Sequence, residues 1–163
     1  MSIKKVKIVA VIPARMESTR FPGKPLIKIN KIPMVEHVRR RAMLCGYFSE
    51  VYVATCNKEI FDCILTNGGK ALMTSSKHLD CTDRICEASK KIDCTHIVNV
   101  QGDSILVNPD DLKKICKDII KNPNNDFWNL ISLIKTKKDL SNRSIVKCFL
   151  NTNKKIYFLF RNI

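Results

Sequence analysis

A short apolar run leads directly into a loop rich in proline and positive charge, and this junction constrains the fold more than any other part of the chain. Residues 8–12 read IVAVI, which has the length and the β-branched content of a buried strand. The prolines and Gly23 of the next segment, residues 13–26, exclude a long helix there. We therefore expect a loop at the carboxyl end of the first strand, the edge at which open α/β sheets bind their ligands.

The side chains of this loop suit a polyphosphate. Arg15 and Arg20 carry guanidinium groups that grip phosphate oxygens two at a time, and Lys24 adds a compact positive charge. Ser18 adds a hydroxyl, and Gly23 lets backbone amides come close to an anion. Taken singly, each cation reads more simply as a solvated surface side chain, and it is their combination that favours a phosphate site. The spacing is not that of a Walker loop, and no GxGxxG motif occurs in the chain.

The length and charge of the chain narrow the function classes. Its 163 residues are enough for one core and predict a single domain over residues 1–163. The formal net charge of +14 raises nucleic acid as a partner. However, the lysines are spread along the chain and aromatic residues make up only 7%, so neither a basic arm nor a stacking platform is visible. We interpret the charge mainly as a compositional bias, and a basic nucleic-acid binder is the last of the alternatives.

Eight cysteines would suggest a disulfide scaffold in a small secreted protein. Residues 1–5, however, lead straight into a strand without a separate apolar signal region, so we expect a cytoplasmic, reduced protein. The cysteines contain no CxxC pair, and several fall at apolar positions of predicted helices, which disfavours a zinc site. No apolar run approaches the length needed to span a membrane, so no membrane partner is expected.

Strand and helix patterns alternate along most of the chain. Apolar strands are predicted at residues 8–12, 50–55, 70–73 and 96–100, and helices at 35–45, 58–67, 82–91 and from Asn108 and Pro109 onwards. This alternation predicts βαβ units and a mostly parallel sheet covered on both faces. Farther on, strands are predicted at 128–134, 145–150 and 155–160, the last two paired as a hairpin.

Two further polar segments follow strand ends. Residues 74–81 form a loop that leads into a helix, with Thr82 as the expected N-cap and Asp83 in its first turn. Residues 101–103, Gln-Gly-Asp, directly follow the fourth strand, where Asp103 is well placed to hold a hard cation that bridges phosphate oxygens. By itself a Gly-Asp pair would more simply be an Asx turn or a helix cap. The phosphate-type loop favours the metal interpretation because both segments reach the same edge of the sheet.

Four segments of the chain resemble one family, the cytidylyltransferases that activate eight-carbon sugar acids, in particular 3-deoxy-manno-octulosonate (Kdo). Residues 13–26, PARMESTRFPGKPL, match the family pattern PAR-x-x-STR-x-PGKPL. Residues 73–88, MTSSKHLDCTDRICEA, are similar to MT-x-x-x-H-x-SGTDR-x-AEA, and residues 99–103, NVQGD, match the start of NVQGDEP. The segment from Ser144 to Arg161 is similar to the family's VKVV…ALYFSR stretch.

The resemblance implies a three-layer α/β/α Rossmann-like fold of the nucleotide-diphosphosugar transferase type. It also implies transfer of CMP from CTP to Kdo, with Mg²⁺ as cofactor, in lipopolysaccharide or related polysaccharide biosynthesis. By position, it implies phosphate binding by Arg15, Ser18, Arg20 and Lys24, base or ribose binding by His78, Thr82 and Arg84, sugar-acid binding by Gln101 and Arg161, and Mg²⁺ binding by Asp103. The residues it implies in catalysis are Arg15, Lys24 and Asp103.

The chain departs from the family pattern at several positions. Asp80 and Cys81 stand where the family has Ser and Gly, Ser104-Ile105 replace Glu-Pro, and Phe160 replaces Ser. Family members usually continue for roughly half as much again beyond Arg161, with a second metal-binding aspartate and most of a homodimer interface in that part. We therefore expect a C-terminally truncated cytidylyltransferase. The alternatives are a catalytically weak or inactive CTP-binding relic and a synthetase for another sugar acid.

Overall fold

The computed structural model describes residues 5–17, 21–153 and 155–161. These residues fall into two compact units, the first ending at Trp128 and the second beginning at Asn129. The single domain over residues 1–163 stays a prediction.

The first unit contains a parallel sheet and a small antiparallel ladder. Its strands are β1 (Ile8–Ala14), β2 (Lys28–Ile29), β3 (Ile32–Pro33), β4 (Glu50–Thr55), β5 (Lys70–Met73) and β6 (His96–Asn99). Strands β5, β4, β1 and β6 lie side by side in that order, and all of them are parallel. Strands β2 and β3 pair with each other in the antiparallel ladder. The predicted parallel sheet is confirmed.

Helices cover both faces of the parallel sheet. They are α1 (Met34–Met43), α2 (Lys58–Thr66), α3 (Cys81–Ser89) and α4 (Pro109–Lys121). One face packs against α1, α2 and α4 in a core that includes Ile12, Val35 and Ile119. The other face packs against α3 through Val11 and Ala88. Every residue of β1 is buried, because the side chains of a strand alternate between two faces and both faces are covered here.

The order of the strands creates a crevice beside β1. The chain adds β4 and β5 on one side of β1 and then crosses the sheet to add β6 on the other side. The direction in which strands are added therefore reverses between β1 and β6. In open α/β sheets, ligands bind outside the carboxyl ends of the strands at such a reversal.

The third helix begins earlier than the sequence pattern predicts. Its N-cap is Asp80, because the Asp80 carboxylate accepts hydrogen bonds from the backbone N–H groups of Thr82 (2.8 Å) and Asp83 (3.1 Å). The prediction that Thr82 caps this helix is wrong. Aspartate and threonine both cap helices well, but aspartate adds a negative charge that the N-terminal end of a helix stabilises.

The second unit contains a short helix, α5 (Lys137–Ser141), and two antiparallel strands, β7 (Lys147–Leu150) and β8 (Ile156–Phe160). The predicted hairpin is confirmed. The ring of Phe149 packs against Phe158 and Phe160 on the opposite strand, with ring centroids 5.1 and 5.4 Å apart.

In the described part of the chain, no helix is long and apolar enough to cross a lipid bilayer.

Residues 127–135 form no strand, so the strand predicted at 128–134 is wrong. A strand needs a neighbour that takes up its backbone hydrogen bonds, and none of the strands among the described residues pairs with this segment. The side chains of Leu130, Ile131 and Leu133 are exposed. Trp128 is partly buried against the core of the first unit, but the apolar pattern of these three residues does not correspond to burial.

Candidate active site

A cavity of about 1170 Å³ opens at the carboxyl ends of β1 and β6. Its walls come from the end of β1 and the following loop, the start of α1, the loop before α3 with its first turn, and the segment after β6. The volume is sufficient for a ligand of nucleotide size. The predicted site residues that line the cavity are Arg15, Lys24, Arg84, Gln101 and Asp103.

The segment that follows β6 touches the end of β1 at Gly102. A Cβ atom at this position would collide with the backbone carbonyl oxygen of Pro13, near the end of β1. Glycine is thus needed here for close packing of two backbones. The contact places Gln101 and Asp103 beside the loop that follows β1.

The loop after β1 is closed by its own backbone. The C=O of Met16 accepts a hydrogen bond from the N–H of Gly23 (2.9 Å). Gly23 has a φ of 73°, a left-handed conformation that glycine adopts without strain. A 3₁₀ turn, Lys24–Leu26, follows immediately. The closure brings together the residues on either side of it, Arg15 and Lys24, and both line the cavity.

Two other predicted phosphate ligands of this loop, Ser18 and Arg20, lie outside the described residues. Their contacts with phosphate stay predictions.

An ion pair joins the loop after β1 to the segment after β6. The Nζ atom of Lys24 lies 3.0 Å from Oδ2 of Asp103, and the two side chains are 37% and 58% exposed. Exposed pairs of this kind add little to stability because both charges stay hydrated. Lys24 and Asp103 are therefore able to exchange each other for a charged ligand at low cost.

Asp103 is the predicted metal ligand. Among the described residues, no group of three or more His, Cys, Asp or Glu side chains is arranged to hold a metal ion. Mg²⁺ does not require such a group, because it usually binds one or two carboxylates and takes its other ligands from substrate phosphates and water. The accessible carboxylate of Asp103, on the same cavity wall as Arg15 and Lys24, fits a metal that binds together with a polyphosphate.

The loop before α3 is held by Arg84 of that helix. Arg84 is 2% exposed, and its Nη1 atom donates to Oγ1 of Thr74 (2.5 Å) and to the C=O of Ser75 (3.4 Å). The guanidinium group therefore fixes the loop as well as lining the cavity. Its predicted contact with the base or ribose stays a prediction.

Glu87 anchors the same loop one turn farther along α3. Its carboxylate accepts a hydrogen bond from the N–H of Ser75 (2.8 Å) and lies 2.7 Å from Nε2 of His78 and 3.1 Å from Nζ of Lys91. These hydrogen bonds, that of Ser75 first, lower the pKa of Glu87 to about 2. Neither His78 nor Thr82 belongs to the described wall of the cavity, and their predicted contacts with the base stay predictions.

Gln101 reaches across the cavity wall to the start of α3. Its Nε2 atom lies 3.8 Å from Sγ of Cys81, the first residue of that helix. Both residues line the cavity. The cysteine side chain therefore occupies space that the glycine of the family pattern leaves open, next to the residue predicted to face the sugar acid.

Arg161 lies in the second unit. Its Nη1 atom donates to the C=O groups of Ser144 (3.2 Å) and Arg143 (3.4 Å), and its own C=O accepts from Nζ of the buried Lys147 (2.7 Å). These bonds tie the end of the hairpin to the segment before β7. The predicted contact of Arg161 with a sugar acid stays a prediction.

Sequence reasoning misses two residues that hold these loops, Asn57 and Glu87. For Glu87 a local signal was available, since Lys91 follows it by four residues on the same helix face. For Asn57 no local signal exists, because its side chain binds the backbone N–H of Met16 (2.9 Å), 41 residues away in the chain.

Comparisons with known proteins agree with this geometry. The family model for cytidylyltransferases matches residues 9–163. The chain is 39% identical over 153 residues to a 3-deoxy-manno-octulosonate cytidylyltransferase of Thermodesulfovibrio yellowstonii, which covers 89% of this chain and 60% of that protein. It is 40% identical over 142 residues to the protein of the same name from Geobacter metallireducens, with coverages of 87% and 56%. The chain thus spans about 60% of the length of these relatives.

A solved structure, that of CMP:2-keto-3-deoxy-manno-octonic acid synthetase complexed with CTP, is similar over 96% of this chain and 64% of its own. The TM-score is 0.86 and the sequence identity is 32%. This likeness confirms the predicted Rossmann-like α/β fold. The loop after β1, the loop before α3 and the Gln-Gly-Asp segment all fall within the matched residues 9–163 and line one cavity, so the resemblance seen in these segments is confirmed and the chain belongs to the cytidylyltransferase family.

Proposed function

We propose that this chain carries the nucleotide site of an enzyme that transfers CMP from CTP to Kdo and releases pyrophosphate. The observation that carries the proposal is the meeting of Arg15, Lys24 and Asp103 in one cavity at the reversal of strand order. The names of the relatives and the CTP complex of the similar synthetase support the choice of substrates.

Arg15 and Lys24 bind the triphosphate of CTP in this proposal. A guanidinium group and an ammonium group on the same cavity wall offset the charge that moves onto the leaving pyrophosphate. Lys24 turns from Asp103 to the phosphates, since a triphosphate offers more negative charge than one carboxylate. Ser18 and Arg20, from the same loop, add further phosphate contacts.

Asp103 is then the ligand that this chain provides for Mg²⁺. When bound, Mg²⁺ would neutralise phosphate charge and polarise the α-phosphate. Asp103 is accessible and is released from its ion pair when Lys24 binds phosphate, so loading of nucleotide and of metal favour each other. With one protein carboxylate as ligand, metal binding by this chain alone is expected to be weak.

The reaction is a substitution at the α-phosphorus atom. The anomeric hydroxyl oxygen of Kdo forms a bond to phosphorus and gives its proton to solvent water, while the bond from phosphorus to the oxygen that bridges to the β-phosphate breaks and pyrophosphate leaves. Gln101 and Arg161 orient the sugar acid, and His78, Thr82 and Arg84 contact the base or ribose. The contribution of the protein is positioning and electrostatic stabilisation.

The proposed setting is the cytoplasm, with CTP and a Kdo-like acid as partners and a homodimer as the expected assembly. All eight cysteines lie among the described residues and all are free thiols, which supports a reducing compartment. The product would serve lipopolysaccharide or a related polysaccharide. Membrane and nucleic acid are not among the proposed partners.

A second candidate function is CTP binding without turnover. It is favoured by the proposed metal site, to which the proposal assigns one carboxylate, that of Asp103, since no group of three or more His, Cys, Asp or Glu side chains among the described residues is arranged to hold a metal ion. A synthetase for a different sugar acid is the third reading.

The test is CTP-dependent release of pyrophosphate with Kdo and Mg²⁺, run alongside calorimetry of CTP binding. Turnover that is abolished in Asp103→Ala supports the synthetase, and CTP binding without turnover supports the second candidate. If the chain neither binds CTP nor releases pyrophosphate, the hypothesis of a nucleotide site is overturned.

Asp62→Ala is the matched control for Asp103→Ala. Asp62 forms an exposed ion pair with Lys58 (2.9 Å) on α2, much as Asp103 does with Lys24, but it does not line the cavity. Equal losses in both variants would show that general charge, and not the carboxylate of Asp103, determines turnover.

A further inference from the structure

The asparagine before α2 does not cap its own helix. Asn57 is the N-cap residue of α2, yet its side chain makes no capping hydrogen bond. Asn108, the N-cap residue of α4, shows the usual arrangement, since its Oδ1 atom accepts from the N–H of Asp110 (3.0 Å). The side chain of Asn57 therefore serves another purpose.

The amide of Asn57 binds the loop after β1 at two successive residues. Its Oδ1 atom accepts a hydrogen bond from the N–H of Met16 (2.9 Å), and its Nδ2 atom donates to Oε1 of Glu17 (3.3 Å). Both ends of one planar group are used, as a donor and as an acceptor. The amide therefore fixes the orientation of the loop as well as its distance from α2.

Met16 links Asn57 to the opposite side of the loop through its own backbone hydrogen bonds. Its N–H is bound to Asn57, and its C=O accepts from the N–H of Gly23 (2.9 Å). Arg15 directly precedes Met16, and Lys24 directly follows Gly23. One chain of hydrogen bonds thus runs from Asn57 through Met16 to Gly23, and the two cavity-lining cations are the sequence neighbours of its last two members.

Asn57 is in turn held by the sheet. Its backbone N–H donates to Oγ1 of Thr55 (3.1 Å), the buried last residue of β4. Thr55 pairs in register with Ala14, the last residue of β1. Asn57 therefore connects the loop to the two central strands at a point where both strands are buried.

We propose that Asn57 is a positioning residue of the candidate site, which holds Arg15 and Lys24 at the separation that a polyphosphate chain requires. The inference rests on the proposed function for its ligand, but the hydrogen bonds that carry it exist without ligand. Cations that are held in place before binding lose less conformational freedom on binding, and this raises affinity.

The first test is calorimetry with two probes, CTP and inorganic tripolyphosphate. Loss of two hydrogen bonds in Asn57→Ala is expected to weaken binding of both probes by about 10-fold. The matched control is Asn108→Ala, which removes a genuine capping asparagine outside the cavity. It is expected to lower the midpoint of thermal unfolding and leave both dissociation constants unchanged. Unchanged binding in Asn57→Ala would overturn the proposal.

A rescue experiment tests the direction of the hydrogen bonds. Asn57→Asp keeps an acceptor for the N–H of Met16 but places a second carboxylate beside that of Glu17. Because the two negative charges repel each other, binding of both probes is expected to weaken by about 10-fold or more. Asn57→Asp combined with Glu17→Gln restores a donor, and recovery to within about 3-fold of the unchanged protein is expected. Glu17→Gln alone completes the cycle. Asn57→Asp combined with Asp62→Asn has the same net charge without the donor, and equal recovery in that variant would overturn the proposal.

Hydrogen exchange without ligand separates this inference from the proposed function. In Asn57→Ala, the amide protons of Met16 and Gly23 are expected to exchange about 10-fold faster. This factor corresponds to a loss of about 1.4 kcal/mol of local stability. If the unchanged protein binds neither probe, the proposed function fails while the loop restraint is still tested. Unchanged exchange at both amides would overturn the restraint itself.

Discussion

Gly102 packs directly against the carbonyl oxygen of Pro13, and the space between them does not admit a Cβ atom. The contact joins the end of β1 to the segment that follows β6, and these are the two strands on either side of the reversal in strand order. The position of Asp103 relative to Lys24 therefore depends on the absence of one side chain. Any larger residue at position 102 must push the two segments apart.

Gly102→Ala is expected to lower the free energy of unfolding by about 1–3 kcal/mol, the usual result of forcing an extra methyl group into a packed site. It should also weaken CTP binding by about 10-fold or more, because displaced groups bind poorly even when they are present. Urea denaturation and calorimetry measure the two effects.

The control for this variant is Gly46→Ala. Gly46 has a φ of 70° and no heavy atom within 4 Å of a Cβ position, so alanine there costs about 1 kcal/mol of backbone strain without crowding the cavity. CTP affinity that is unchanged in Gly102→Ala, or equally reduced in Gly46→Ala, would contradict the prediction.

The buried ion pair of Glu36 and Arg39, two residues that do not line the cavity, predicts a large effect on stability. The carboxylate of Glu36 is fully buried and accepts two hydrogen bonds from Arg39, both 2.7 Å, and one from Arg40 (2.6 Å). Glu36→Gln leaves the buried guanidinium group of Arg39 without its counter-charge. A loss of about 3–5 kcal/mol in the free energy of unfolding is expected at neutral pH, measured by urea denaturation.

The pH dependence of this effect has a defined sign. Burial raises the pKa of Glu36, but the hydrogen bonds from Arg39 and Arg40 outweigh it, so the pKa lies below its ordinary value of 4.5. The stabilisation is therefore complete above pH 4.5 and is lost as the pH falls through the lowered pKa. The difference between Glu36→Gln and the unchanged protein should shrink in acid. A difference below about 1 kcal/mol at neutral pH, or one that grows in acid, would be evidence against the buried pair.

Glu87 predicts a second acid-sensitive element. Its pKa in the folded chain is about 2 instead of 4.5, chiefly because of the hydrogen bond from Ser75 and then those from His78 and Lys91. The stabilisation from these bonds is full above pH 4.5 and declines between about pH 4.5 and about pH 2. In Glu87→Gln the fall in stability over this range should be shallower, as measured by urea denaturation at a series of pH values. Equal slopes in Glu87→Gln and the unchanged protein would rule out this role.

The sheet and its crossover helices could be predicted from the sequence because a strand that is covered on both faces has a continuous apolar run. The run IVAVI of β1 is buried throughout, and Leu112, Cys116 and Ile119 of α4 are buried in the core. The segment 128–134 has a similar apolar content but no described partner strand. Local pattern reports the tendency of a segment, whereas pairing depends on residues elsewhere in the chain.

Part of the candidate site could also be predicted from the sequence. Arg15, Lys24 and Asp103 follow strand ends, and parallel topology brings strand ends together. The burial of Arg84 and the reach of Asn57 were not predictable, because each depends on a loop that folds back from another part of the sheet. The charged face of α1 also gave no sign that Glu36 and Arg39 are buried, since the same spacing is common on solvated helices.

Substitution of Lys24 is expected to affect CTP binding strongly and stability very little. Because its ion pair with Asp103 is exposed, Lys24→Met should change the free energy of unfolding by less than about 0.5 kcal/mol. The same variant removes a charge-assisted hydrogen bond to phosphate, so CTP binding is expected to weaken by about 10- to 100-fold. Urea denaturation and calorimetry on one preparation measure both quantities.

Lys58→Met is the matched variant. It removes an equal charge from an exposed lysine–aspartate pair with Asp62 (2.9 Å) on α2, outside the cavity wall. Long-range attraction of an anion by a chain with a net charge of +14 would be reduced to a similar degree in both variants. A direct contact would affect Lys24→Met alone, and the deficit would persist at high salt, where long-range attraction is screened. Equal losses that disappear with salt would mean that Lys24 acts through the general field of the chain and not through contact with phosphate.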